Sequence, residues 1–122
     1  MAHPARPERL DELLEVLSNR HRRRICGYLI KEEMVDREDI VGYLRSTASR
    51  TRNGARGPTD KELAIAVRHR HVPRLRAAGI VEDGRDRDLQ YCHSPLLEEL
   101  LLVLSRYDPE LDRDEIETRD HQ

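Results

Sequence analysis

The sequence predicts a mostly α-helical domain carrying one small β-hairpin, and three observations predict it. Thr59 and Glu62 stand three apart, the spacing of a capping box in which each side chain satisfies an amide of a first helical turn. Leu63, Val67, His71, Leu75 and Ala78 then recur at intervals of three and four, along one side of a helix that should end at Gly79, a residue free to take the left-handed position past a helix terminus while Ile80 folds back. Residues 80–82 and 89–91, rich in bulky or β-branched side chains, flank a polar stretch from Asp83 to Asp88 whose Asp-Gly step favours a hairpin turn.

The other elements follow in order. Residues 1–7, with Pro4 and Pro7, are expected to be a flexible leader. Leu10, Leu13, Leu14 and Leu17 give the apolar stripe of a first helix over residues 8–17. Asn19 is a good N-cap for a second helix, which buries Ile25, Tyr28 and Leu29 and runs to about residue 31. Met34 and Val35 read as a short strand. Val35, Asp36, Asp39 and Ile40 combine a hydrophobic staple with a relative of the capping box, predicting a third helix over residues 37–45. Residues 45–60 lack apolar periodicity and contain Asn53-Gly54 and Gly57-Pro58, so they read as a loop. Within the long fourth helix, Pro73 removes a backbone hydrogen bond and predicts a kink near His69. Ser94-Pro95 caps a fifth helix whose leucines at 96, 97, 100, 101 and 104 cover more than the ~100° that one core needs. The order helix, helix, strand, helix, helix, hairpin, helix is that of a winged helix-turn-helix. In it, residues 59–78 form the recognition helix for the major groove and residues 80–92 the wing on the DNA backbone.

The chain of 122 residues is long enough for one domain, here residues 8–107, followed by an acidic tail, residues 108–122, expected to be disordered. Hydrophobic residues are 37% and charged residues 38%, a balance that favours completing a core by association. Two leucine-striped terminal helices make a symmetric homodimer the economical solution, with Leu10, Leu13, Leu14, Leu17, Leu97, Leu100, Leu101 and Leu104 at the interface. The formal charge of −2 conceals an asymmetry. Residues 1–80 carry 17 Arg and Lys against 11 Asp and Glu, and residues 81–122 carry 5 against 13. A basic body with an acidic end suits a polyanionic partner such as double-stranded DNA.

Arginine placement supplies the candidate contacts. Arg68, Arg70, Arg74 and Arg76 lie between the apolar positions of the fourth helix, with Arg70 and Arg74 one turn apart, and must face solvent or a polyanion. Arg20, His21, Arg22, Arg23 and Arg24 crowd the start of the second helix and oppose its dipole. Either a phosphate offsets that cost, which makes Arg22 a contact, or carboxylates such as Glu8, Asp11, Glu12 and Glu15 lie nearby. The loop adds Arg50, Arg52 and Arg56, which either solvate a surface insert or order against phosphate.

Several function classes find no support. There is no nucleophile elbow, phosphate loop or clustered carboxylate pair, so no enzyme is expected. Cys26 and Cys92 stand alone, and His69 and His71 lie on different sides of one helix, so neither a metal nor another cofactor is expected, and His71 reads as a core residue. No apolar run spans a membrane and the N-terminus lacks a signal core, which predicts a cytoplasmic protein.

The stretches LSNRHRRRICGYL and HVPRLRAAGIVEDGRDRDLQY resemble the matching segments of small winged-helix proteins abundant in haloarchaea, relatives of the ArsR-like regulators. The resemblance covers roughly residues 8–107. It implies a dimeric DNA-binding transcriptional regulator, with Arg68, His69, Arg70 and Arg74 on the helix that enters the major groove and Arg85 and Arg87 on the wing. A haloarchaeal cytoplasm would hold molar salt, where the screening length falls to ~3 Å and direct readout outweighs counterion release. The alternative is a winged-helix protein-interaction module without DNA sequence specificity.

Overall fold

The computed structural model describes residues 7–51, 57–111 and 116, and the side chains of all of these but 48–51. The order is α1 (Pro7–Leu17), α2 (Arg20–Glu32), β1 (Met34–Asp36), α3 (Arg37–Thr51), a long helix of residues 60–77, β2 (Val81–Asp83), β3 (Asp88–Tyr91) and α6 (Pro95–Leu104). The long helix has three consecutive parts: α4 (Asp60–Ala66), a π-helical turn (Val67–His71) and α5 (Val72–Ala77). The three strands form one antiparallel sheet in the order β1-β3-β2, with Val35 opposite Leu89 and Val81 opposite Tyr91. The fold is thus mostly helical with a β-hairpin wing braced by a third strand.

Local chemistry sets most boundaries. Asn19 Oδ1 accepts from the amides of His21 and Arg22 and starts α2. Asp36 Oδ1 accepts from Glu38 N, and Val35 and Ile40 are both buried, as the staple spacing predicts. Thr59 Oγ1 accepts from Glu62 N at 3.1 Å while Glu62 Oε1 accepts from Thr59 N at 2.8 Å, closing the capping box. At the far end Gly79 has φ of 70°, Ile80 N donates to Leu75 O and Gly79 N to Arg76 O. This double closure turns the chain directly into the wing.

Alternation of side chains along the strands aims Val35, Val81, Leu89 and Tyr91 at one core. Ile25, Leu29, Ile30, Ile40, Leu44, Leu75 and Ile80 fill it with essentially no exposure. The hairpin departs in one detail from the expected turn. The left-handed residue is Asp86, with φ of 57°, and the Asp83-Gly84 step ends the strand, with Gly84 N donating to Asp88 O.

Three other expectations are corrected. The third helix does not stop at residue 45 but runs to Thr51. Thr47 continues the line of Ile40 and Leu44, is 1% exposed, and bonds back to the carbonyls of Tyr43 and Leu44, so it lengthens the buried seam where composition suggested a loop. Four of the eight leucines assigned to a dimer interface, Leu13, Leu17, Leu97 and Leu101, are buried in the chain's own core. The other four, Leu10, Leu14, Leu100 and Leu104, remain at least partly accessible, beside Val103 and Tyr107. Finally, the acidic tail is docked at its described positions: Leu111 and Ile116 are 7% and 1% exposed and belong to the core. Residues 1–6 of the leader, Arg52 and Arg56, and most of residues 112–122 lie outside the described residues, as does the side chain of Arg50.

Candidate nucleic-acid interface

The long helix presents its polar side through an irregular middle. Pro73 has no amide to give to the His69 carbonyl, and the chain widens just before it: Val72 N donates to Val67 O, five residues back. The predicted kink is therefore a π-helical turn. One extra residue is accommodated there, which is why both His71 and Val72 are buried between the regularly spaced Leu63, Val67, Leu75 and Ala78. Arg68, His69 and Arg70 ride on this turn and are exposed.

The wing carries Arg85 and Arg87 on its tip, both exposed. It is held at two points: Arg76 Nη2 bonds Asp83 Oδ1 at 2.7 Å across its base, and Arg37 Nη1 donates to Arg87 O at 3.2 Å from the start of α3. Between α3, the π-helical turn and the wing lies a cleft of about 650 Å³. Arg37, Arg68, His69 and Arg87 line it together with Asp36, Glu38, Val41, Ala64 and Val67. Arg37 was not singled out from the sequence, because only the pairing of β1 with β3 brings α3 to the wing tip.

Among the described residues Arg68, Arg70, Arg85 and Arg87 make no ion pair. Arg74 differs: its side chain is half exposed but bonds Glu15 Oε1 on α1 at 2.9 Å. It lies beyond the π-helical turn but lines the same outer groove as Arg70 and Pro73. Ile65, half exposed, adds an apolar element to the same outer face.

Arg22 is the clear misplacement. It is 5% exposed, with Nε donating to Val16 O at 2.8 Å and Nη2 to Glu15 O at 3.3 Å, so it closes the carbonyl end of α1. Arg23 does the same for Leu17 O and reaches Asp108 at 2.7 Å. Arg24, fully buried, pairs with Glu110 and donates to Thr47 Oγ1, and Arg20 forks onto Glu110. The cost of this arginine run is offset by α1 carbonyls and by carboxylates of the tail. None of the four nearby carboxylates weighed from the sequence supplies a side-chain acceptor for it among the described residues.

His71 sits where the two arginine groups meet. It is 1% exposed, and its Nδ1 lies 3.5 Å from Arg22 Nη1. A guanidinium can only donate, so Nδ1 is the acceptor and the proton rests on Nε2, which has no partner among the described residues. Burial first, then Arg22, His21, Arg70 and Arg74, push its pKa down to about 4. The His21 ring stands edge-on to it at 5.8 Å, and its own pKa is lowered by burial and by Arg24 and Arg20. Both rings are neutral near pH 7 and add shape, not charge, to this junction.

Among the described residues no group of three or more His, Cys, Asp or Glu is arranged to hold a metal ion, and no helix is long and apolar enough to cross a membrane. Neither the curated proteins nor the solved structures contain a match to this chain. One family model does match, over residues 14–91, from the middle of α1 to the end of β3, and on that match the chain belongs to the domain of unknown function DUF7344.

Proposed function

We propose that this chain is a DNA-binding transcriptional regulator that places the long helix in the major groove and the wing on the backbone. One observation carries the reading: Arg68, Arg70, Arg85 and Arg87 are exposed and make no ion pair among the described residues, whereas the arginines of α2 are bonded within the chain. Arginine in that state can take guanine edges or phosphates in a two-pronged way. The resemblance of residues 8–107 to ArsR-like haloarchaeal regulators agrees with it.

The regulator acts as a homodimer in the cytoplasm. Leu10 and Leu14 of α1 are 38% and 46% exposed, and Val103 of α6 and Tyr107 in the turn beyond it are 51% and 80% exposed. Arg23 bonds the end of α1 through Leu17 O and, through Asp108, the turn that follows α6, so both segments meet within one guanidinium's reach. Closing a second copy over this apolar surface would leave the long helix and wing free.

A protein-interaction module is the second reading, favoured by Asp36 and Glu38 beside the arginines of the cleft and by exposed Ile65. Fluorescence anisotropy in high potassium chloride separates the two, using duplex fragments from around the chain's own gene and scrambled duplexes. Tight binding to one fragment, weakened about tenfold or more by Arg68→Ala/Arg70→Ala, is the expected result. Equal weak binding to every duplex, unchanged by the substitutions, selects the interaction module.

A further inference from the structure

The segment after α6 returns to the arginine-rich start of α2 and occupies it. Glu110 accepts from Arg20 Nε at 3.2 Å and Nη2 at 2.5 Å and from Arg24 Nη2, while Asp108 takes Arg23 Nε at 2.7 Å. Arg24 is fully buried under this cover, and its Nε has no acceptor among the described residues, so the carboxylate satisfies fewer donors than the arginines offer. The first turn of α2 contains no acidic residue of its own. A phosphodiester group carries the same single charge and two free oxygens as a carboxylate, but a chain of them presents several such groups side by side to these donors.

We propose that residues 108–111 form a tethered anionic strap that stands in for phosphate at Arg20, Arg23 and Arg24, and that a phosphate polymer displaces it. The strap lies outside the residues matched by the family model. Arg20 is half exposed, which gives an incoming phosphate its first contact. Leu111 and Ile116 are buried in the core and hold the strap near the site. A tethered ligand acts at an effective concentration of about millimolar or more. Free phosphate at ordinary concentration therefore loses to the strap, whereas a chain of linked phosphates competes on equal terms.

The site is continuous with the proposed DNA face, since His21, next to Arg20, meets the ring of His71, next to Arg70. The inference rests on the DNA reading only for the identity of the polymer, the phosphodiester backbone of duplex DNA. Release of the strap then becomes a threshold that DNA must exceed before the start of α2 joins the contact.

The test is amide hydrogen exchange over residues 108–111 in the full chain, alone and with saturating inorganic phosphate, inorganic polyphosphate or a short duplex. Faster exchange with polyphosphate and with the duplex, and none with inorganic phosphate, is the expected pattern. Unchanged protection under saturating polyphosphate overturns the strap. If polyphosphate releases it and no duplex binds, the strap stands and the DNA reading falls; if a duplex binds through Arg68 and Arg70 while polyphosphate leaves the strap protected, the reverse holds. As a second measurement, Asp108→Asn should bind polyphosphate several-fold to about tenfold more tightly than the wild type. Equal affinity in a folded Asp108→Asn protein counts against the strap.

Discussion

The arginines of α2 and those of the long helix and wing are chemically the same and are used in opposite ways. Arg22, Arg23 and Arg24 find acceptors inside the chain, in the carbonyl end of α1 and in Asp108 and Glu110. Arg68, Arg70, Arg85 and Arg87 form no ion pair among the described residues and remain at the surface. Arginine density is thus a poor guide to a binding face. What separates a structural cation from a recognising one is whether neighbouring elements bring an acceptor to it.

The contrast can be broken at its most buried member. Arg24→Ala leaves Glu110, whose side chain is 8% exposed, without its buried partner and should cost about 3–5 kcal/mol in urea unfolding. A loss below 1 kcal/mol would show the pair to be dispensable. His71, at the junction of the two groups, sharpens the comparison through pH. Its folded pKa of about 4 lies below the ordinary value, so the unfolded chain binds more protons between the two. The stability associated with neutral His71 is complete above about pH 6.5 and should fall by up to roughly 3 kcal/mol as the pH drops towards 4. His71→Leu should flatten that part of the stability profile, and an unchanged profile would place the acid sensitivity elsewhere. The smallest effect belongs to the exposed set: Arg70→Ala should change stability by no more than about 0.5 kcal/mol. A larger cost would mean that Arg70 has a structural partner after all.

What the sequence made legible was local. The capping box at Thr59 and Glu62, the Asn19 cap, the staple around Asp36 and the turn at Gly79 each depend on residues within one helical turn, and each is present. Pro73 pointed to the irregular turn but not to its form. The extension of α3 was marked only by Thr47, a polar residue on an apolar line. The destination of Arg22 could not be read, because it depends on how α1 packs across α2. Nor could the docking of Glu110, 86 residues from Arg24, although the excess of acid after residue 80 was its trace. Among the candidate DNA contacts, Arg68, Arg70, Arg85 and Arg87 are exposed as expected. The leucine surface was half core, because apolar periodicity cannot distinguish a side chain buried by its own chain from one left for a partner.

The π-helical turn has a consequence for phase. An α-helix advances about 100° per residue and a π-helical turn less, so the wide turn shifts the phase of α5 from that of an unbroken α-helix. The closure at Gly79 ties α5 to the wing, while the capping box and Leu63 set α4 against α3. Between these two fixed ends the wide turn works as a slip joint. The outward side of α4 and the outward side of α5 can each be seated by its own neighbours, and neither has to share a single helical register with the other.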